Sequence, residues 1–285
     1  MSLVLNGTTG ITNLPSINSG QIGGRRNIVI NGEMKVAQRA TSATGKTGGT
    51  SGYFALDRWK LQDGTIGTAG RCTIAQIADG PAGFANCLKI SATTADTSID
   101  AREALILQTR FEGQDLQQLK KGTSSAEQVT VSFYVKGNAA ALYVCELHDV
   151  DNGRNNTQSF AVTTDWNRIE LTFAADTSDP LDDDTAVSLS LNFWLHSGSN
   201  YSGGTFASNT WADITLANTT AVANRTSIYD STNRTFFLTG VQMEIGSTAT
   251  DFEHRSFCEE YDLCKRYYYQ SYDLGVAAGT TSNAG

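Results

Sequence analysis

Two stretches of this chain carry enough carboxylates to hold a hard cation. In DVDNGRNN, Asp149 and Asp151 fall at the first two ligand positions of a twelve-residue calcium loop. Arg154 stands where that loop needs glycine and no glutamate closes it, so a hairpin turn is the simpler account. The run Asp179, Asp182, Asp183, Asp184 could offer oxygen ligands to calcium, and a solvated acidic loop explains it as well. Calcium is the one metal this leaves open; no cofactor is expected. Ala40-x4-Gly45-Lys46-Thr47 matches a loose phosphate loop. The following GGTSGYF cannot start the helix whose N–H groups would face a phosphate. The histidines, His148, His196 and His254, stand isolated, outside any HxH or HExxH pattern, and no GxSxG elbow occurs. No catalytic residue is therefore expected. Two carboxylates that meet only in the folded chain could still hydrolyse a glycan, which keeps a depolymerase as a competing reading.

Aromatic residues offer a different chemistry. Trp59, Trp166, Trp194 and Trp211 can each be core or a platform on which a sugar ring stacks, since a flat apolar face gives large contact area at little entropic cost. Trp211 follows the polar loop NYSGGTFASNT, which also carries Tyr201 and Phe206. Tyr201, Phe206 and Trp211 are the candidate glycan-contact residues, with burial in the core the competing reading for each tryptophan. The five cysteines, Cys72, Cys87, Cys145, Cys258 and Cys264, have irregular spacings and no CxxC, which speaks for reduced thiols. Cys258 and Cys264 lie about 120° apart around an expected helix. Sequons at Asn6, Asn155, Asn200, Asn218, Asn224 and Asn233 are chance matches in a chain rich in Asn and Thr.

Charge narrows the partners. With 21 basic and 29 acidic residues the net charge is −8, the wrong sign for displacing counterions from nucleic acid or for docking on an anionic membrane. No apolar run reaches the roughly 20 residues of a membrane-spanning helix. Residues 1–12 have neither the basic nor the continuous apolar segment of a signal peptide.

The elements that must position these residues are mostly strands. QVTVSFYVKG (128–137) alternates Val129, Val131, Phe133 and Val135; NRIELTFAA alternates Ile169, Leu171 and Phe173; AVSLSLNFWL alternates Val187, Leu189, Leu191 and Phe193. Further strands are expected at 28–34 (Ile28, Ile30, Met34), 53–62, 71–78, 87–93, 141–149, 157–163, 210–218 and 235–246, and EALILQTRF (103–111) suits either helix or strand. About ten short strands separated by turn residues predict a mainly β chain: a jelly-roll-type antiparallel β-sandwich over residues 25–250. Residues 251–274, with Phe257, Tyr261, Cys264 and Tyr268 at helical spacings, predict a short C-terminal helix packed on the sandwich or on a neighbouring subunit. Residues 275–285 look like a linker or truncated end. Residues 1–24 form an extended N-terminal arm whose apolar residues, Leu3, Val4, Leu5, Ile11, Leu14 and Ile17, are too few to fold alone, so a partner surface is expected to order them.

Several blocks resemble phage tail-fibre and related virion proteins. The leader LVLNGTTGITNLPSI resembles their N-termini, and RRNIVINGEMKVAQRAT followed by YFALDRW resembles the opening of their sandwich domain. LQTRFEGQDLQQLKKGTSSAEQVTVSFYVKG and GVQMEIGSTATDFEHRSFCEEYDLCKRYYYQSY are similar to segments typical of them, and TTDWNRIELTF and RTFFLTGVQMEIG look like late strands of carbohydrate-binding jelly rolls. The resemblance implies a tail or head fibre component of a bacteriophage virion, assembled in the bacterial cytoplasm and serving host attachment. It would attach to other virion proteins through residues 1–24, form a homo-oligomer, a homotrimer by fibre geometry, and contact host surface glycans. An adaptor or head-decoration module without receptor binding is the alternative. The family supplies no catalytic residues.

Overall fold

The computed structural model describes residues 16–17, 20–21, 25–64, 67–273 and 276. In chain order the strands are β1 (Ser16–Ile17), β2 (Gly20–Gln21), β3 (Ser42–Lys46), β4 (Lys60–Asp63), β5 (Arg71–Ile77), β6 (Cys87–Thr94), β7 (Ala104–Glu112), β8 (Val129–Gly137), β9 (Ala141–Asp149), β10 (Arg154–Val162), β11 (Asn167–Phe173), β12 (Val187–Ser197), β13 (Ala212–Asp213) and β14 (Thr235–Ile245). Two helices, α1 (Ser199–Ser202) and α2 (Phe257–Lys265), complete the set. β1 and β2 form a minimal hairpin. The rest make two six-stranded antiparallel sheets, ordered β13-β10-β9-β12-β7-β4 (the front sheet) and β11-β8-β14-β6-β5-β3 (the back sheet). The chain is thus the mainly β sandwich that its alternation predicts.

Alternation builds the core because a strand sends successive side chains to opposite faces. β7 turns Leu105, Leu107 and Phe111 inward, β9 turns Tyr143, Cys145 and Leu147, and β12 turns Leu189, Leu191 and Phe193. From the back sheet Val131, Phe133, Val135, Phe236 and Leu238 meet them. Phe133 stands edge-on to Phe193 at 5.0 Å and to Phe160 at 5.1 Å, and Tyr143 is edge-on to Phe236 at 5.7 Å. These are the T-shaped arrangements that ring quadrupoles favour. In β14 the inward positions change from even (Phe236, Leu238) to odd (Val241, Met243). A bulge between Thr239 and Gln242 makes the change, and Gly240 at φ +60° supplies the left-handed residue inside it.

Several expected elements differ. Residues 28–34 are not a strand. Asn31 and Met34 adopt positive φ, and Asn31 donates through Nδ2 to the carbonyls of Val36 and Asp57, both at 2.8 Å. The amide side chain thereby replaces a ladder with a turn, although Val29 and Met34 are still buried. Of 53–62 only the end is strand, and of 210–218 only Ala212–Asp213 pairs with β10. The Gly/Thr-rich segment around Gly45 holds an edge strand, β3, in place of a phosphate loop. The C-terminal helix spans Phe257–Lys265 and not all of 251–274. Ahead of it, Arg255 donates to the carbonyls of Val29 and Asn27. Behind it, Tyr267 and Tyr268 lie against the guanidinium groups of Arg58 at 3.4 Å and Arg39 at 3.6 Å, contacts that fix the chain in an irregular path. The arm residues Leu3, Val4, Leu5, Ile11 and Leu14 lie outside the described residues, as does the Ile17 side chain. All five cysteines are free thiols, buried except Cys258. No helix among the described residues is long and apolar enough to cross a membrane.

Candidate functional site

Residues that a strand does not send inward face outward, and along the middle of the front sheet a row of them is polar. Register aligns them: Gln108 of β7 sits opposite Asn192 of β12, and Asn192 opposite Glu146 of β9. The side chains connect across the strands. Arg110 Nε donates to Gln108 Oε1 at 2.6 Å, Gln108 Nε2 to Asn192 Oδ1 at 3.3 Å, and Asn192 Nδ2 to Glu146 Oε2 at 2.9 Å. Trp194 Nε1 also donates to Glu146 Oε2, at 2.6 Å, and Asn155 Nδ2 to Glu146 Oε1 at 2.8 Å. A buried carboxylate with three donors is well satisfied and fixes the rotamers around it.

This network floors a groove of about 370 Å³ on the outer face of the front sheet. Gln62, Arg110, His148 and Ser190 line it beside the network, and Val150, Ile214 and Leu216 add apolar wall. Leu216 is 55% exposed. The Nη groups of Arg110 make no hydrogen bond among the described residues, so they stay available to a ligand. Lys60, neighbouring on β4, is held below the ordinary lysine range by burial and by repulsion from Arg110. Planar amides and a guanidinium beside aliphatic wall suit a polyhydroxyl ligand: the polar groups pair with adjacent hydroxyls, and the wall covers C–H faces. Glu146 is the carboxylate among the described lining residues, and both its oxygens are engaged.

The sequence candidates separate. Tyr201, at the end of α1, packs against Trp194 with ring centroids 5.2 Å apart. Tyr201 and Phe206 both cover a small apolar cluster of Ala104, Ile106, Val144 and Trp194 on the outer face. Ile106 and Trp194 also line the groove, so this loop backs one end of it. Trp194 itself is only 8% exposed. Trp211 lies elsewhere. It packs on the main core, donates through Nε1 to the Ala174 carbonyl at 2.7 Å, and has the Lys121 ammonium 5.5 Å from its ring centre. Trp59 is core, and Trp166 bonds Asp79 Oδ1 beside Phe237.

Among the described residues the acidic loops bring no three ligand atoms together. Asp149 pairs with Lys121 at 2.6 Å and bonds Asn152. Asp151 accepts the Asp182 N–H, and Asp184 caps the Ala186 N–H. His196, isolated in sequence, instead meets Asp96 and Glu103. Burial lowers its imidazole to about 4, which leaves it neutral near pH 7. Gln108, Arg110, Glu146 and Asn192 escaped sequence reasoning too. Their signal was the polar half of each alternating strand, which shows its function only once the sheet sets these positions side by side.

No protein-family model and no curated protein matches the chain. Among solved structures, the family 11 carbohydrate-binding module of the cellulosomal cellulase Lic26A-Cel5E of Clostridium thermocellum is similar over 73% of this chain and 99% of its own, at 13% identity and TM-score 0.35. A structure titled "CBM4 structure and function" is similar over 75% of this chain and 97% of its own, at 13% identity and TM-score 0.37. The enzymatically active domain of tailspike protein 4 of bacteriophage CBA120 is similar over 66% of this chain and 19% of its own, at 13% identity and TM-score 0.34.

Proposed function

We propose that this chain is a structural component of a phage virion, a tail or head fibre part, that contacts host surface glycan through the groove on its front sheet. The observation that carries the glycan reading is the preformed network from Arg110 through Gln108 and Asn192 to Glu146, laid along an open groove with aliphatic walls. Such a surface binds without reacting. Glycan hydrolysis uses two carboxyl groups flanking the bond, and Glu146 stands in this groove with its oxygens occupied. The virion reading rests on the sequence resemblance of the leader and of the blocks at 25–59, 107–137 and 240–272. In this account residues 1–24 join the chain to other virion proteins, and Tyr201 and Phe206 support the groove by holding Trp194.

The test is affinity electrophoresis through gels containing host surface polysaccharide. The wild-type chain is expected to be retarded, and a Gln108→Ala/Arg110→Ala double variant to lose at least about tenfold in affinity, because each lost hydrogen bond to a buried hydroxyl is worth roughly 1 kcal/mol or more. Equal retardation of the two proteins would refute the groove as the contact.

A further inference from the structure

We infer that Asp96, Glu103 and His196 form a binding site for one divalent first-row transition cation, of the Zn²⁺ or Mn²⁺ class, tying together the end of β12, the start of β7 and the loop after β6. The site stands apart from the groove and does not depend on the glycan reading.

Backbone geometry assembles it. β12 carries a bulge between Trp194 and His196, so that His196 pairs with the core-facing Leu105 and turns inward with Leu195. Re-aiming one side chain is what such bulges do. Glu103 directly precedes β7, and Asp96 is anchored to Tyr229, whose carbonyl accepts its N–H at 2.8 Å. The three residues are 4%, 5% and 2% exposed in chain order. One ligand atom from each lies within 4.8 Å of the others, with Glu103 Oε2 3.5 Å from His196 Nε2. Ligands at about 2.0–2.2 Å from a shared ion stand about 3–4.5 Å from one another, so little adjustment is needed.

Asp96 accepts the Ala69, Gly70 and Ser98 N–H groups and Glu103 Oε2 accepts the Asp100 N–H, but one atom of the cluster has no partner. His196 Nε2 is buried, faces the carboxyl groups and has no hydrogen-bond partner. Its other nitrogen, Nδ1, lies 2.7 Å from Ser227 Oγ, which is itself fixed by the Tyr229 N–H at 2.9 Å. With the Nδ1 proton donated to Ser227, the Nε2 lone pair points at the two acids, the arrangement of a metal-ligating histidine with its outer partner. Asp96 and Glu103 bring two like charges to one buried spot. Neither has a lysine or arginine ion pair among the described residues; the nearby Arg225 donates to Ser197 instead. Two carboxylates and one neutral imidazole select transition ions over Ca²⁺ and Mg²⁺, which prefer oxygen alone.

The experiment strips the full-length chain with EDTA, incubates it with ZnCl₂, MnCl₂ or CaCl₂, desalts it, and reads bound metal by elemental analysis and stability by thermal melting. One equivalent of Zn²⁺ or Mn²⁺ is expected to be retained, with Tm raised by about 5 °C when the ion is well above its Kd. Glu103→Gln and Asp96→Asn should abolish both effects. Metal-free Glu103→Gln should melt at or above the metal-free wild type, since it relieves the repulsion, which shows that the variant folds. His196→Gln should also retain no metal. Failure of the wild-type chain to retain either transition ion would overturn the proposal, as would an equal response in Glu103→Gln or an equal shift with Ca²⁺.

Discussion

Lys121 shows how much of this molecule rests on single side chains. Its ammonium is buried between Asp149 at 2.6 Å and Asp176 at 3.1 Å, and Arg154 reaches Asp176 from the other side at 3.1 Å. Burial alone would raise the Asp176 carboxyl, but hydrogen bonds from Arg154, the Ser178 N–H and Lys121 outweigh it and hold the group below its ordinary 3.8. Lys121→Met leaves the buried Asp149 without a cation and takes one of two from Asp176, and should cost about 3–5 kcal/mol in denaturant unfolding at pH 7. A carboxylate depressed in the folded state contributes stability above its unfolded value and loses it as pH falls through the folded one. The gap between wild type and variant should therefore narrow when the unfolding is repeated below about pH 4; a gap constant from pH 7 to pH 3 would contradict the assignment. The sequence shows the acidic residues here but not their partner. Lys121 is some thirty residues from Asp149 in sequence, and only the strand order sets it among the acids. Asp96 and His196 were hidden for the same reason, with a bulge, invisible in composition, deciding where His196 points.

At the scale of elements, alternation was legible wherever one face of a strand is core. β8, β11 and β12 occupy the segments that their period-2 pattern marks, whereas 103–111 suited either a helix or a strand until its pairing with β4 and β12 was known. The pattern misled at 28–34, because Ile28 and Ile30 alternate as a strand would while Asn31 holds the turn by its side chain. The turn also presents the Asn31 main chain to two other segments: Glu260 of α2 accepts its N–H at 2.5 Å, and its carbonyl accepts Trp59 Nε1 ahead of β4 at 3.0 Å. Asn31→Ala leaves the Val36 and Asp57 carbonyls and the Val36 N–H without their partner and should cost about 3 kcal/mol. Limited proteolysis should then cut first within 251–273; first cleavage elsewhere would argue against this clasp. Gly240→Ala tests the β14 bulge. A side chain there must adopt φ +60° with its Cβ 2.8 Å from the Phe84 ring, so a loss of about 1–2 kcal/mol is expected in thermal melts, plus the cost of moving Phe84. An unchanged Tm would mean that the bulge tolerates a side chain and is not what sets the register.

For the molecule as a whole, composition and patterning made the sandwich legible, and the groove remained out of view because it exists only when four strands lie side by side. Assembly is a matter for experiment. Light scattering at micromolar concentration is expected to give three times the mass of a 30.6 kDa chain, and a monomer would refute the trimer. Deleting residues 1–24 should leave a sandwich that folds yet no longer joins the particle; normal incorporation would show that the arm is not the anchor. The central claim is that the front-sheet groove is where this chain meets a glycan, and the most direct measurement is a crystal structure with a host-surface oligosaccharide bound. Sugar rings are expected to lie along the groove, with hydroxyls within hydrogen-bond reach of Arg110 and Gln108 and a C–H face against Leu216. Sugar seated at Trp211 or on the outer face of the back sheet, with the groove holding none, would contradict it.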